Sequence, residues 1–276
     1  MHASTHPKVQ FQLDGIDVYV EGSGGTTLVF LHGWPDNERL WDATVAGLKD
    51  QFRCVRFTLP GFDLGKPERT LSLDEITASV KNIVQVVSPD QPVTLVMHDW
   101  GCTFGYEFLG RHPSLVDRVV AVDIGNHNHG SYLRSLTAQQ KLGIFLYQFW
   151  LALAWGAGRY ISTSLGNWMT RLCARAVKCP AADADLHWRK NFPYAMLWLG
   201  LRGGLKGCLR VDPKCAFLYI YGARKPFMFH SPQWLTEMAA VPGNKVQAFA
   251  TGHWVMLQQP VEFVACLRDW LTGFNR

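Results

Sequence analysis

The chain contains no C-x-x-C pair, and its cysteines are odd in number, seven in 276 residues. A disulfide framework and a zinc ribbon are therefore not expected, and Cys54, Cys102, Cys173, Cys179, Cys208, Cys215 and Cys266 read as reduced, mostly buried thiols of a cytoplasmic protein. No run of Lys and Arg interleaved with aromatics occurs, although the formal charge is +5. Basic residues come at most in short pairs such as Arg189-Lys190 and Arg224-Lys225, so no nucleic-acid partner is expected. The opening MHASTHPKVQFQLDG has no apolar core and no cleavage signal, which argues against a secretory peptide. Internal repeats and low-complexity tracts are absent. From Leu142 to Gly158 the chain lacks any charge (LGIFLYQFWLALAWGAG). That run sits at the short limit for a bilayer span of about 20 residues. Tyr147, Gln148 and terminal glycines interrupt it, so it reads as a buried or tunnel-lining helix, with peripheral membrane contact as the lesser reading.

What is present suits one globular α/β unit carrying an insertion: 48% of residues are hydrophobic and 18% charged, enough to build a sizeable core. Phe11 to Val20 alternates around Asp14-Gly15, a hairpin signal. Thr26–Leu31 is a continuous apolar run, as expected of a parallel strand covered on both faces. Further strands are expected at Phe52–Leu59, Val93–Val96, Val116–Ile124, Cys215–Tyr221 and Lys245–Ala250. Helical spacing runs from Leu73 to Val87, opened by Ser72 and Glu75 in a capping-box pattern, and again over Thr103–Arg111 and Pro260–Leu271. Strands alternating with helices predict a mostly parallel sheet with right-handed crossovers. Between His127 and Asp212 no strand is expected; Trp150, Trp155, Trp168, Trp188 and Trp198 lie in a segment that reads as helices. The predicted organisation is a core of 1–126 and 214–276 with a helical cap, 127–213, over the carboxyl ends of the strands, where sites of such sheets lie.

Three short motifs fall at strand ends. His32-Gly33-Trp34-Pro35 follows TTLVFL, His98-Asp99-Trp100-Gly101 follows VTLVM, and Thr251-Gly252-His253-Trp254 follows KVQAFA. Each is weak alone; their order and placement together resemble the α/β-hydrolase superfamily over nearly the whole chain. In that family a sharp strand-to-helix turn exposes the nucleophile and aims backbone N–H groups at the reacting centre. The corresponding residue here is Asp99, and HDWG is similar to the epoxide hydrolase and haloalkane dehalogenase branches. Met97 departs from the pattern, which favours a small residue two positions before the nucleophile.

A carboxylate suits a particular electrophile. Serine attacking saturated carbon leaves an ether that water does not readily cleave, whereas aspartate leaves an ester that water can hydrolyse. The resemblance implies that His253 activates that water and that the backbone N–H groups of Trp34 and Trp100 hold the oxyanion. A histidine base needs an acid on its second ring nitrogen. The usual place, Tyr221 to Pro226, holds no acid, and Lys225 stands where one is expected. Asp123, at the end of the strand VDRVVAVD, matches the alternative position used in one dehalogenase branch.

The cap tyrosines separate the two branches. Tyr147 in Tyr147-Gln148 resembles the first ring-opening tyrosine of epoxide hydrolases, and Tyr194 in Asn191-Phe192-Pro193-Tyr194 lies where the second is found. The expectation is an epoxide hydrolase that converts a hydrophobic epoxide to a vicinal diol through an alkyl-aspartyl ester. A haloalkane dehalogenase with the same Asp-His-acid set, in which Trp100 and a cap tryptophan hold the halide, is the alternative, followed by another α/β-hydrolase. A non-enzymatic binding module would show a blocked pocket or His253 out of reach of Asp99. The implied partners are a small hydrophobic molecule and water, with no metal or organic cofactor; monomer and homodimer both stay open.

Overall fold

The computed structural model describes residues 9–275. The chain starts with a hairpin, β1 (Phe11–Leu13) and β2 (Ile16–Glu21), joined by the Asp14-Gly15 turn. β3 (Thr27–Leu31) follows, then α1 (Asp42–Leu48), β4 (Arg53–Phe57), α2 (Leu73–Val87), β5 (Val93–His98), α3 (Trp100–Arg111) and β6 (Val116–Val122). Four helices come next: α4 (Gly130–Ser135), α5 (Ala138–Tyr160), α6 (Thr163–Ala176) and α7 (Phe192–Leu199). The sheet resumes with β7 (Ala216–Gly222), α8 (Pro232–Ala239) and β8 (Lys245–Phe249), and the chain closes with α9 (Val255–Gln258) and α10 (Pro260–Thr272).

The eight strands form one sheet in the order β1-β2-β4-β3-β5-β6-β7-β8. Only the β1/β2 and β2/β4 pairings are antiparallel. The pleat sorts the central residues between two layers, because successive side chains of a strand point to opposite faces. Val29, Leu31, Leu95, Met97, Val119, Ala121, Phe217 and Tyr219 pack towards α2, α3, α8 and the cap. Leu28, Phe30, Val96, Val120, Val122, Leu218 and Ile220 pack towards α1 and α10. Both faces are covered, so β3 and β5 are wholly buried, as the continuous apolar runs imply.

Local signals hold where they were strong. Ser72 Oγ accepts from the Glu75 N–H at 3.2 Å while the Ser72 N–H donates to Glu75 Oε2 at 2.7 Å, closing the capping box that starts α2. Several boundaries move by one to three residues, and two of the shifts bear on the site. β6 ends at Val122 rather than Ile124, because Asp123 adopts φ 74° and turns the chain out of the sheet. α3 begins at Trp100 rather than Thr103. The charge-free run divides within α5: its buried residues all lie between Leu151 and Gly158, Ile144, Phe145, Tyr147 and Gln148 line a cavity, and Leu142, Leu146 and Leu153 are exposed. Within the described residues, no helix is long and apolar enough to cross a membrane. All seven cysteines are free thiols, four of them buried.

Candidate active site

β5 delivers the chain to Asp99, which takes φ 52° and ψ −124°, and α3 starts at the next residue. A non-glycine residue in this region is strained by roughly 1–3 kcal/mol, and such strain gathers at functional turns. The turn is held from the β3 side. A Cβ added to Gly33 would stand 2.4 Å from the Asp99 Cβ and 2.5 Å from its Oδ1, so only glycine lets the two loops meet. The Trp34 N–H then donates to Asp99 Oδ1 at 2.7 Å. The bulk of Met97 is absorbed by α3: a Cβ on Gly105 would lie 2.0 Å from the Met97 sulfur. The helix is glycine at the one point where that thioether lies, which explains how a large residue is accommodated beneath the turn.

His32 fixes the Gly33-Trp34 loop. Its Nε2 accepts from the Leu59 N–H at 2.8 Å, which leaves Nδ1–H to donate to the Gly33 carbonyl at 2.9 Å. Burial pushes this imidazole down to about 3, so it stays neutral and keeps that tautomer. The Trp34 indole N–H donates to Asn191 Oδ1 at 2.7 Å, and Asn191 Nδ2 donates to Thr170 Oγ1 at 2.7 Å. One buried chain of hydrogen bonds thus ties the loop to α6 and to the residue preceding α7.

His253 follows β8 and reaches back to Asp99, with Nε2 3.5 Å from Oδ2. Its own carbonyl accepts from His98 Nε2 at 3.2 Å, and the neighbouring Trp254 indole donates to Asp36 Oδ2 at 2.9 Å. On the far side His253 Nδ1 donates to Asp123 Oδ2. Asp123 is fully buried, and its other oxygen carries two partners: the Gly222 N–H at 3.0 Å and the ammonium of Lys225. Lys225 is itself almost buried and lies 5.9 Å from the centre of the Phe229 ring. The residue in the usual acid position is therefore a cation, and it stands on the acid supplied from β6.

The electrostatics follow from this placement. Burial works to raise the Asp123 carboxyl, but the charge of Lys225 and then of His253 outweighs it and holds it well below the usual carboxylate range. Burial likewise opposes the Asp99 carboxylate, and the hydrogen bond and charge of His253 bring it below the ordinary value. For His253, burial opposes the imidazolium; the Asp123 charge and hydrogen bond, joined by those of Asp99, overcome it and push the ring up to about 9. With Asp99 ionised, His253 is therefore an imidazolium at neutral pH.

A cavity of about 570 Å³ lies between this group and the cap, lined among others by Asp99, Trp100, Tyr147, Tyr194, Phe145 and Trp198. The Tyr147 and Tyr194 rings meet edge to face at 6.3 Å. Burial raises both phenols well above their ordinary value, so each keeps its proton. Tyr147 Oη accepts from Gln148 Nε2 at 3.2 Å, and the Trp100 and Tyr194 rings meet edge to face at 5.2 Å. Trp100 is the first residue of α3, so its N–H has no acceptor within the helix. Of the expected site residues, Asp99, Trp100, Tyr147 and Tyr194 line this cavity; Trp34 and His253 contact Asp99 from behind it, and Asp123 stands behind His253. Lys225, His98, His32 and Asn191 were not singled out as site residues; only Lys225 carried a signal, as the cation in the acid's place.

The profile of the alpha/beta hydrolase family matches residues 28–265. The chain belongs to the alpha/beta hydrolase family. Among its curated relatives, the family member is 36% identical over 110 residues to a probable oxidoreductase, EphD, of Mycobacterium tuberculosis, covering 38% of this chain and 18% of that protein. It is 30% identical over 107 residues to a soluble epoxide hydrolase of Corynebacterium sp., covering 38% of this chain and 37% of that one. These matches span less than two fifths of either relative. The epoxide hydrolase of Bacillus megaterium has a similar structure, with a TM-score of 0.67 at 20% identity over 95% of this chain and 99% of that one. At that identity the likeness is one of fold.

Proposed function

We propose that this alpha/beta hydrolase opens a hydrophobic epoxide to a vicinal diol through an ester on Asp99. The observation that carries the reading is the meeting of Asp99 and two protonated phenols, Tyr147 and Tyr194, in the walls of one cavity. Asp99 Oδ1 is held by the Trp34 N–H at 2.7 Å, whereas Oδ2 is held only loosely, 3.5 Å from His253 Nε2, so Oδ2 is the oxygen that attacks. It bonds to an epoxide carbon as the C–O bond of the ring breaks. The tyrosines donate to the ring oxygen, and one of them gives up its proton to the alkoxide. Oδ1 becomes the ester carbonyl oxygen without leaving its donor.

Esterification also switches His253. The Asp99 charge that helped to hold the proton is gone, so the ring gives its proton, by way of water, to the tyrosinate left by ring opening and becomes a base. It takes a proton from water as the hydroxide adds to the Asp99 carbonyl carbon. The Trp34 and Trp100 N–H groups hold the tetrahedral oxyanion. Collapse expels the second alkoxide, which takes the proton from His253. The Asp99 carboxylic acid then gives its proton to His253, which restores the carboxylate and the imidazolium of the resting site. Two hydrogens and one oxygen have entered as water.

The relatives named as epoxide hydrolases support the same reading. The haloalkane alternative has less support, since the cavity wall that holds Asp99 presents two phenols, which suit the ring oxygen of an epoxide, whereas a halide leaves without taking a proton. The paired test offers styrene oxide, scored for diol, and 1-bromobutane, scored for bromide. Diol formation that falls away in Asp99→Asn supports the proposal; bromide release without diol overturns it in favour of a dehalogenase.

A further inference from the structure

We infer that the outer face of the cap docks on an anionic lipid bilayer, with the cavity mouth turned towards it. This goes beyond the reaction proposed above and does not depend on it. Of the 21 large hydrophobic side chains that are exposed among the described residues, fifteen lie between 127 and 213. On α5 they recur as Leu142, Leu146 and Leu153, a spacing that keeps them on one side of the helix. Phe145 meets Trp198 edge to face at 5.0 Å, which joins this side of α5 to the end of α7. Exposed Leu133, Phe145, Leu197 and Trp198 line the cavity as well, whereas Asp99 and Tyr194 close its inner end. The exposed apolar surface is therefore continuous with the wall of the cavity.

Charge says what covers it. Residues 127–213 carry eleven Lys and Arg against three Asp, a net charge of +8, and the rest of the chain carries sixteen against nineteen, a net charge of −3. No acidic residue occurs between Asp123 and Asp183. The cap cations nearest the core are neutralised by it: Arg159 pairs with Glu68 at 3.1 Å and Arg202 with Glu75 at 2.8 Å. Arg134, Lys141, Lys206 and Arg210 are exposed and have no ion-pair partner among the described residues. Lys141 and Arg210 line the cavity; Arg134 and Lys206 each follow a leucine that does. Exposed leucine and aromatic rings among unpaired cations match the two attractions that hold a monotopic protein to an anionic bilayer, burial at the acyl boundary and attraction to the headgroups. A second copy of this chain would bring +8 against +8.

Flotation with vesicles tests this. The full chain should float with vesicles of phosphatidylcholine containing 30% phosphatidylglycerol and stay behind with phosphatidylcholine alone. Raising the salt should weaken the binding, since screening shortens the reach of the charges. Arg134→Gln with Lys206→Gln should lower the partition coefficient about 25-fold, at about fivefold per charge. Leu142→Gln with Leu146→Gln should weaken it further, and an unchanged thermal midpoint shows that the variants fold. Absence of flotation with the anionic vesicles, or equal flotation of the wild type and the fourfold variant, overturns the inference. So does a vesicle-independent dimer that the leucine variants dissociate without any flotation.

Discussion

Replacing Lys225 with methionine removes one of the two cations that share the Asp123 carboxylate and keeps nearly the same length of aliphatic chain. In the wild type Asp123 gives Oδ2 to His253 and Oδ1 to Lys225. Two cations on opposite oxygens of one carboxylate stand roughly 6 Å apart, and at an effective dielectric of about 20 their repulsion is about 3 kcal/mol. That corresponds to about 2 pH units, and relaxation around the methionine reduces it to about 1–2. The sign is definite. Lys225 opposes a second positive charge beside it, so its removal makes the imidazolium easier to form and raises the His253 pKa. Ester hydrolysis needs the neutral ring, so its rate rises as pH climbs through that pKa. The rising limb should therefore move up by about 1–2 units. On the acid side of the limb, hydrolysis should slow by about 10- to 100-fold, with recovery at higher pH. Alkylation of Asp99 uses the carboxylate and the tyrosines, so its rate at neutral pH should change little. Rapid-quench single turnover across pH separates the two steps. A limb that stays in place or moves down, in a variant that folds, refutes the assignment of Lys225 as the group that tunes His253.

Three other perturbations follow from the same geometry. Asp123→Asn leaves the Lys225 ammonium buried without its counter-ion, so it should cost about 3–5 kcal/mol in denaturant unfolding and let the Asp99 ester accumulate in intact-protein mass spectrometry. Tyr147→Phe and Tyr194→Phe should each slow epoxide opening by about 10²–10³-fold in burst kinetics while leaving the pH limb of hydrolysis in place. Gly105→Ala would normally favour a helix, but here the new methyl meets the Met97 sulfur at 2.0 Å; thermal melting should show a loss of about 1–3 kcal/mol, which Met97→Ala in the same chain relieves.

The strand-end motifs were readable in advance because each combines a local turn with a residue type that the turn exposes. That is why Asp99, His253 and the loop at Trp34 could be placed on the sheet from the sequence, and why the continuous apolar runs of β3 and β5 pointed to a buried parallel centre. What could not be read depended on side chains meeting over long separations. Lys225 looked like the loss of an acid; only the approach of β7 to β6 shows it as the partner of Asp123. The Met97 departure became intelligible only with Gly105, in the second turn of α3. The Trp34–Asn191–Thr170 chain joins the core to the cap across more than 130 residues, and no periodicity announces it. A charge-free helix is usually buried, and the run from Leu142 reads as buried or tunnel-lining; its pattern does not tell which side of α5 faces the core or the cavity and which faces outward.

The ester on Asp99 is the centre of this account, and isotope transfer in a single turnover tests it most directly. With excess protein and limiting styrene oxide in H₂¹⁸O, the attacking water should leave its oxygen in the Asp99 carboxyl group, read as a 2 Da increase in the peptide that contains it, and the diol should carry only unlabelled oxygen. Heavy oxygen in the diol of that first turnover, with an unlabelled Asp99 peptide, would mean that water attacks the epoxide directly and would contradict the assignment of Asp99 as nucleophile.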